Sequence, residues 1–321
     1  MDIPPLAEVR RRTEKQRDAW WTVLLVDPVA TPLVRWTAKW TRLSPNQITW
    51  GSLILGLLAA ACFAQGDWQW LAAGALVYHC SFILDCMDGK LARLTGRGSE
   101  FGAWLDYIFD RVRVLVCAIA LMGGQFRSTG ETAYIWLALA VVFLDMLRYL
   151  DALEIRKVRQ GMRRKLLLRA DAAALTGGED ASNGSTELRR PEPEADATAL
   201  TSVTSGTSGA SAPRISTPRL FFTRFPGYVR FRDFLVDHRI RTHLISGIEF
   251  QMAVFIIGPL TGAIVGVTIG AGVLLLMFEL ALVYRLLLAT REFERVMASY
   301  GPEDVTTAQP AESAPSATAT R

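Results

Sequence analysis

Apolar residues gather in runs separated by short polar turns, and the runs have the length of a bilayer crossing. The first follows Ser44-Pro45-Asn46, where Ser caps a helix and Pro takes its first turn, and covers 45–64. Gln65-Gly66-Asp67 interrupts it. Further runs cover about 68–94, 101–122 and 132–149, with turns at 94–101 and 123–131. A fifth covers 243–257, Gly258-Pro259-Leu260-Thr261-Gly262 turns the chain, and a sixth covers 263–286. Segments of about 20 apolar residues cross a bilayer as helices. The pattern predicts an all-α integral membrane protein with six transmembrane helices.

The stretches between and around these runs differ in kind. Residues 1–43 are cytoplasmic or interfacial: a charged start is followed by Trp20, Trp21, Trp36 and Trp40 among Arg35, Lys39 and Arg42. Trp at headgroup level with cations toward anionic lipid describes an N-terminal interfacial helix, and packing on the bundle is compatible with it. Residues 44–150 hold helices one to four. Residues 151–242 form a basic segment, whose first part continues helix four along the bilayer surface with Ile155, Val158, Met162 and Leu166 at helical spacing. Its insert 171–217 has too few bulky apolar side chains to offset ordering entropy and is expected to be disordered. Residues 218–242 interleave Phe and Tyr with Arg, and 243–290 hold helices five and six. The tail over 291–321 ends in Ala, Ser, Thr and Pro.

Half of the 321 residues are apolar, which fits a membrane protein, and a net charge of +4 does not call for nucleic acid. No nucleic-acid partner is expected, although aromatic and basic interleaving at 218–242 is a pattern single-strand binders share. The four cysteines, Cys62, Cys80, Cys86 and Cys117, lie in or beside apolar runs without a Cys-x-x-Cys pair, so neither a disulfide framework nor a zinc site is expected. No apolar stretch of a cleavable signal peptide follows the first Met. With six helices both termini share one side. The opposite turns at 65–69, 123–131 and 258–262 contain one cation, Arg127. The positive-inside rule then places the termini, the 94–101 loop and 151–242 in the cytoplasm of a multi-pass cell-membrane protein.

The chemistry concentrates at 85–110, DCMDGKLARLTGRGSEFGAWLDYIFD. A helix advances about 100° per residue, so Asp88 lies about 60° from Asp85, with Gly89 and Ala92 near the same line. Asp110 is one turn beyond Asp106. The acids form two stripes on adjacent antiparallel helices, near the cytoplasmic mouth. Each intramembrane carboxylate costs about 2.5–3.5 kcal/mol, so four together need compensation. Arg93, Arg111 and Arg113 supply it in an ion-pair reading; a proton or ion pathway is a second reading. A third is divalent-metal phosphate chemistry, in which hard carboxylate oxygens hold metal and the metal holds phosphate.

The pattern Asp85-x2-Asp88-Gly89-x2-Ala92-Arg93-x8-Gly102-x3-Asp106-x3-Asp110 resembles the motif of the CDP-alcohol phosphotransferase (CDP-alcohol phosphatidyltransferase) family at every fixed position. Pro45-Asn46-Gln47-Ile48-Thr49 resembles that family's start of the first membrane helix. The resemblance covers 44–150, and 243–290 by helix count; the long 151–242 segment and the extended N-terminal region depart from compact members. It implies a transferase of phospholipid biosynthesis that moves a substituted phosphate from a CDP-linked donor to an acceptor alcohol and releases CMP. Asp85, Asp88 and Asp106 would bind a pair of Mg²⁺ or Mn²⁺ ions, and Asp110 would be the catalytic base. Asn46, Gly89, Ala92, Arg93 and Gly102 would line the donor and nucleotide site, with Arg111, Arg113 and Glu249 as candidates for the acceptor. The family is commonly dimeric, which makes a homodimer an expectation here.

Other polar residues read differently. Asp145 and Arg148 are spaced for a local pair. His79 and His238 belong to no constellation, and Glu279 has no evident partner. A membrane prenyltransferase also uses Asp-rich magnesium sites, but the Gly-x2-Ala-Arg core and the spacing of the last acids argue against it. An ion-coupled transporter would carry polar residues through both leaflets or an inverted repeat, and neither is evident. The acceptor stays open among inositol, inositol phosphate, glycerol phosphate, serine and other alcohols. So does the donor, between CDP-diacylglycerol and a soluble CDP-alcohol.

Overall fold

The computed structural model describes residues 4–176, 234–235, 237–241 and 245–299, with the backbone alone for 170–176. The expected disorder at 177–217, the aromatic and basic run at 218–233 and the tail from 300 lie outside the described residues. Those described are helical, joined by turns and one isolated bridge between Asp18 and Ile240.

Helix α1 (Leu6–Thr13) and α2 (Asp27–Trp40) precede the membrane region, with wide π-type turns at Thr22–Val26 leading into α2. Then come α3 (Pro45–Phe63), α4 (Trp68–Thr95), α5 (Glu100–Thr129) and α6 (Ala133–Thr176). Further along the chain, α7 (Gly247–Met252) passes through π-type turns at Ala253–Ile257 into the short α8 (Gly258–Thr261), and α9 (Ile264–Ser299) closes the described chain. Helices α3, α4, α6 and α9 are long and apolar enough to cross a membrane. Helix α5 has the length, at 30 residues, but Asp106, Asp110, Arg111, Arg113 and Arg127 interrupt its apolar run. The apolar unit Gly247–Thr261 is shorter than a full crossing.

Local sequence explains where these helices begin and stop. Ser44 accepts from the Gln47 amide and Gln47 returns a bond to the Ser44 amide, a reciprocal cap on α3 with Pro45 behind it. Helix α4 stops where Gly96 takes a left-handed conformation at φ 65°. Ser99 then caps α5, accepting from the Gly102 amide at 3.0 Å. This tight reversal sets the two acid-bearing segments side by side.

Two turns expected at glycines stay helical at their start, each for a physical reason. Gly123-Gly124 remains helical because a Cβ on Gly124 would sit 2.5 Å from the Phe63 carbonyl oxygen. This glycine permits close packing of α5 on the end of α3, and the Gln125 amide binds the Gly66 carbonyl at 2.8 Å. Gly258-Pro259 also stays helical. The preceding π-type turns widen the helix where the proline ring would clash with a carbonyl one turn back. The chain reverses instead at Gly262, with φ 69°. Helix α6 runs unbroken for 44 residues through the basic stretch read above as its continuation, and departs from the sequence reading only in that 171–176, assigned to the disordered insert, is its last part.

Helix α3 packs between α4 and α5, α5 against α6, α6 against α9, and α1 and α2 against α4. Phe63, Tyr78 and Phe255 form an aromatic centre, Tyr78 and Phe255 with centroids 4.8 Å apart. The outward faces are as apolar as the core: Leu76, Trp136, Leu139 and Met277 are exposed. Such faces suit lipid rather than water.

Candidate active site

The site is built from successive turns of α3 facing α4 and α5. At its rim a Cβ on Gly102 would lie 2.6 Å from Asn46 Oδ1, so glycine is what lets the first turns of α3 and α5 meet. One turn deeper, Thr49 Oγ1 donates to Asp88 Oδ2 at 2.5 Å, and both residues are buried. A turn further, Ser52 Oγ lies 3.4 Å from Asp85 Oδ1 and 3.0 Å from the Ser81 carbonyl oxygen.

Arg113 is the hub. It is 2% exposed, and Nη1 lies 2.7 Å from Ser52 Oγ and 3.1 Å from Asp85 Oδ1, while Nη2 donates to Asp110 Oδ1. Gly56 makes room for it, since a Cβ there would stand 2.7 Å from its Cγ and Cδ. Arg111 stacks on the Tyr149 ring with its Cζ 3.3 Å from the centroid, binds Asp145 and lies 3.6 Å from Asp110 Oδ2. Tyr149 Oη is 3.4 Å from that same Asp110 oxygen. The ion pairs of Asp85, Asp110 and Asp145 thus come from two guanidinium groups.

Asp106 completes the group and is the least satisfied member. Its Oδ1 is buried without a hydrogen-bond partner, and it feels the charges of Asp85, Asp88 and Asp110. Among the described residues no three His, Cys, Asp or Glu side chains converge on one point as they stand. Arg113 draws Asp85 and Asp110 to itself, and Thr49 holds Asp88.

Residues 42–176 match the family model of CDP-alcohol phosphatidyltransferases. This segment is a CDP-alcohol phosphatidyltransferase domain. It runs from just before α3 to the end of α6 and holds all four acids, while α1, α2 and α7–α9 lie outside it. Curated relatives agree with the assignment. A phosphatidylinositol phosphate synthase of Cutibacterium acnes is 31% identical over 134 residues, 41% of this chain and 58% of that protein. An archaetidylinositol phosphate synthase of Pyrococcus horikoshii is 38% identical over 87 residues, 26% of this chain and 44% of that protein. A CDP-diacylglycerol–serine O-phosphatidyltransferase of Helicobacter pylori is 40% identical over 70 residues, 22% of this chain and 28% of that protein. The chain thus spans less than two thirds of each.

Within the CDP-alcohol phosphatidyltransferase domain, the residues named from sequence occupy two neighbourhoods. Asn46, Gly102, Asp85, Asp88, Asp106, Asp110 and Arg113 belong to the acid cluster. Arg93 lies on the other side of α4, its Nε donating to the Thr13 carbonyl oxygen at 3.0 Å; a Cβ on Gly89 would lie 3.6 Å from its Nη1. Ala92 borders the reversal, 3.9 Å from where a Cβ on Gly98 would be. Glu249, outside the domain, caps its own helix through Ser246, and its Oε1 is buried without a hydrogen-bond partner.

The expected Asp145–Arg148 pair does not form. Asp145 turns to Arg111 and Gln251, whose amide donates at 2.8 Å, and Arg148 turns to Glu279 at 3.2 Å. His79 stands edge-on to Trp21, centroids 6.0 Å apart, away from the acids. Sequence reasoning missed Ser52, Ser81, Tyr149 and Gln251 as members of this network. Hydroxyls and amides inside apolar runs were the available signal, but helix spacing alone does not say which face meets which neighbour.

Proposed function

We propose that the chain transfers a substituted phosphate from a CDP-linked lipid donor to an acceptor alcohol and releases CMP. The observation that carries this is the buried, unpartnered Asp106 Oδ1 among Asp85, Asp88 and Asp110, inside a matched CDP-alcohol phosphatidyltransferase domain. Acid exceeds the cations paired with it, and the donors are hard oxygens, the set that suits Mg²⁺ or Mn²⁺. Asp85, Asp88 and Asp106 are the residues that would hold it, once Asp85 and Asp88 turn from Arg113 and Thr49. Bound there, divalent metal would neutralise the diphosphate and make CMP a better leaving group.

The protein's own groups do the rest. Arg93, beside Gly89, offers planar donors to phosphate oxygens. Asn46 is held at the rim by its contact with Gly102. Asp110 keeps Oδ1 on Arg113 and turns Oδ2 toward Tyr149, leaving Oδ2 to take the proton of the acceptor hydroxyl. In the membrane, α5 and the Gly247–Thr261 unit join the four long helices to make six crossings, with α2 at the interface, its Trp36 and Trp40 exposed. The acids then face the cytoplasm, where the cations of the N-terminal region and α6 collect.

The test is CMP release by purified protein in lipid, with CDP-diacylglycerol as donor and a panel of acceptors. Inositol phosphate comes first, because two relatives are named for inositol phosphate lipids. The proposal expects acceptor-dependent CMP, and Asp110→Asn should abolish it while leaving donor binding intact. No CMP with any donor and acceptor, despite a folded protein, would reject it.

A further inference from the structure

Behind the acid cluster, on the opposite side of α4, lies a second group of charges that the reaction does not use. Lys90 is 4% exposed, and its Nζ donates to Asp27 Oδ1 at 2.5 Å and Thr31 Oγ1 at 3.1 Å. The other Asp27 oxygen lies 3.6 Å from Arg239 Nη2. Arg239 Nη1 donates to Glu14 Oε2 at 2.6 Å, and Glu14 Oε1 accepts from Thr31 at 3.0 Å. Arg239 also donates from Nη2 to the Lys15 carbonyl oxygen at 2.7 Å. The backbone fastens too: Asp18 donates to the Arg239 carbonyl at 2.9 Å, and Arg241 donates to the Asp18 carbonyl at 3.0 Å.

Two features set this clasp apart. Arg239 has φ 62°, the one non-glycine residue with positive φ among those described. A side chain in that region is strained, and it stays there because the bonds around it over-determine it. The clasp also fixes the end of α1, and the Thr13 carbonyl there, immediately before Glu14, holds Arg93 Nε at 3.0 Å. Arg93 is thereby set beside Gly89, on the same helix as Asp85 and Asp88.

We propose that Arg239 is a positioning residue for the donor site. Through Glu14 and the end of α1 it fixes the guanidinium of Arg93 beside Gly89, where the nucleotide half of the CDP-linked donor would bind. A segment more than 140 residues away in sequence thus sets the affinity for the nucleotide half of the substrate. This rests on the transferase reading above.

The test is a double-mutant cycle on the full-length protein in lipid, reading CDP binding by calorimetry and the KM values for donor and acceptor. Asn tolerates positive φ, so Arg239→Asn removes the side chain without forcing the backbone. Losing its charge-assisted bonds should weaken CDP binding and raise the donor KM about tenfold, with the acceptor KM and kcat within about twofold. Arg239→Lys should recover part of the loss. With Arg93→Ala already present, Arg239→Asn should add nothing, the non-additivity of two residues acting through one. Should Arg239→Asn fail to fold, Glu14→Gln makes the same comparison more gently. Unchanged CDP binding in a folded Arg239 or Glu14 variant overturns the proposal. So does full additivity with Arg93→Ala. Wild-type protein that binds no CDP and releases no CMP would instead overturn the transferase reading, and this inference with it.

Discussion

Helix α4 carries two groups of buried charge, and they differ in balance. On one face Asp85 and Asp88 join Asp106 and Asp110, with ion pairs from Arg113 and Arg111 and one oxygen of Asp106 without a hydrogen-bond partner. On the other, Lys90 and Arg239 alternate with Asp27 and Glu14, each ion-paired with a neighbour. Burying charge costs several kcal/mol per ion unless partners replace water. The balanced group needs nothing more and fastens three segments. The unbalanced group would be relieved by a bound cation. Being buried and charged does not distinguish a lock from a site; the excess of one sign does.

The sharpest way to break this contrast is to remove one charge from each face. Asp88→Asn in the acid cluster should abolish CMP release, a fall of about a hundredfold or more, while leaving the melting temperature unchanged or raised, because it relieves repulsion. Lys90→Met on the other face should do the reverse to stability. It leaves Asp27 only the longer contact with Arg239 at 3.6 Å and should cost about 3 kcal/mol, read by thermal unfolding in detergent. Replacing both partners, Lys90→Met with Asp27→Leu, should recover most of that loss, because Arg239 keeps Glu14 as its partner. No recovery would mean that the clasp is not independent of its surroundings.

A smaller effect is expected without touching any charge. Gly56→Ala places a methyl group 2.7 Å from the stem of Arg113, which is clamped by Asp85, Asp110 and Ser52 and has little freedom to yield. Overpacking of this kind should cost about 1–3 kcal/mol and lower kcat by displacing Arg113. Gly102→Ala meets the tips of two short side chains, Asn46 Oδ1 at 2.6 Å and Ser99 Oγ at 3.0 Å, so it should cost less in stability and appear mainly as a higher donor KM.

Much of the acid cluster was legible in the sequence because its residues are local. The spacing from Asp85 to Asp110 puts both acid stripes on helices joined by a short reversal, and the cap at Ser44 marks the start of the helix that faces them. The family assignment stands on that segment, and residues 42–176 are where the family model matches. The clasp was illegible, because Glu14, Asp27, Lys90 and Arg239 are charged residues with no spacing in common, and tertiary packing brings them together. The same holds for Arg148 and Glu279: an i, i+3 neighbour offered Arg148 a local partner, and packing of α6 on α9 supplied another. Glycines misled in a consistent direction. Gly123, Gly124 and Gly258 read as turns, yet each remains helical, and Gly124 serves close packing.

The most direct measurement of the central claim is CMP release from CDP-diacylglycerol by the purified protein, with the divalent ion removed and then restored. The excess of acid at Asp85, Asp88, Asp106 and Asp110 predicts that EDTA stops release, that Mg²⁺ or Mn²⁺ restores it, and that Asp106→Asn is not restored by either. Release that continues undiminished in EDTA would contradict the account.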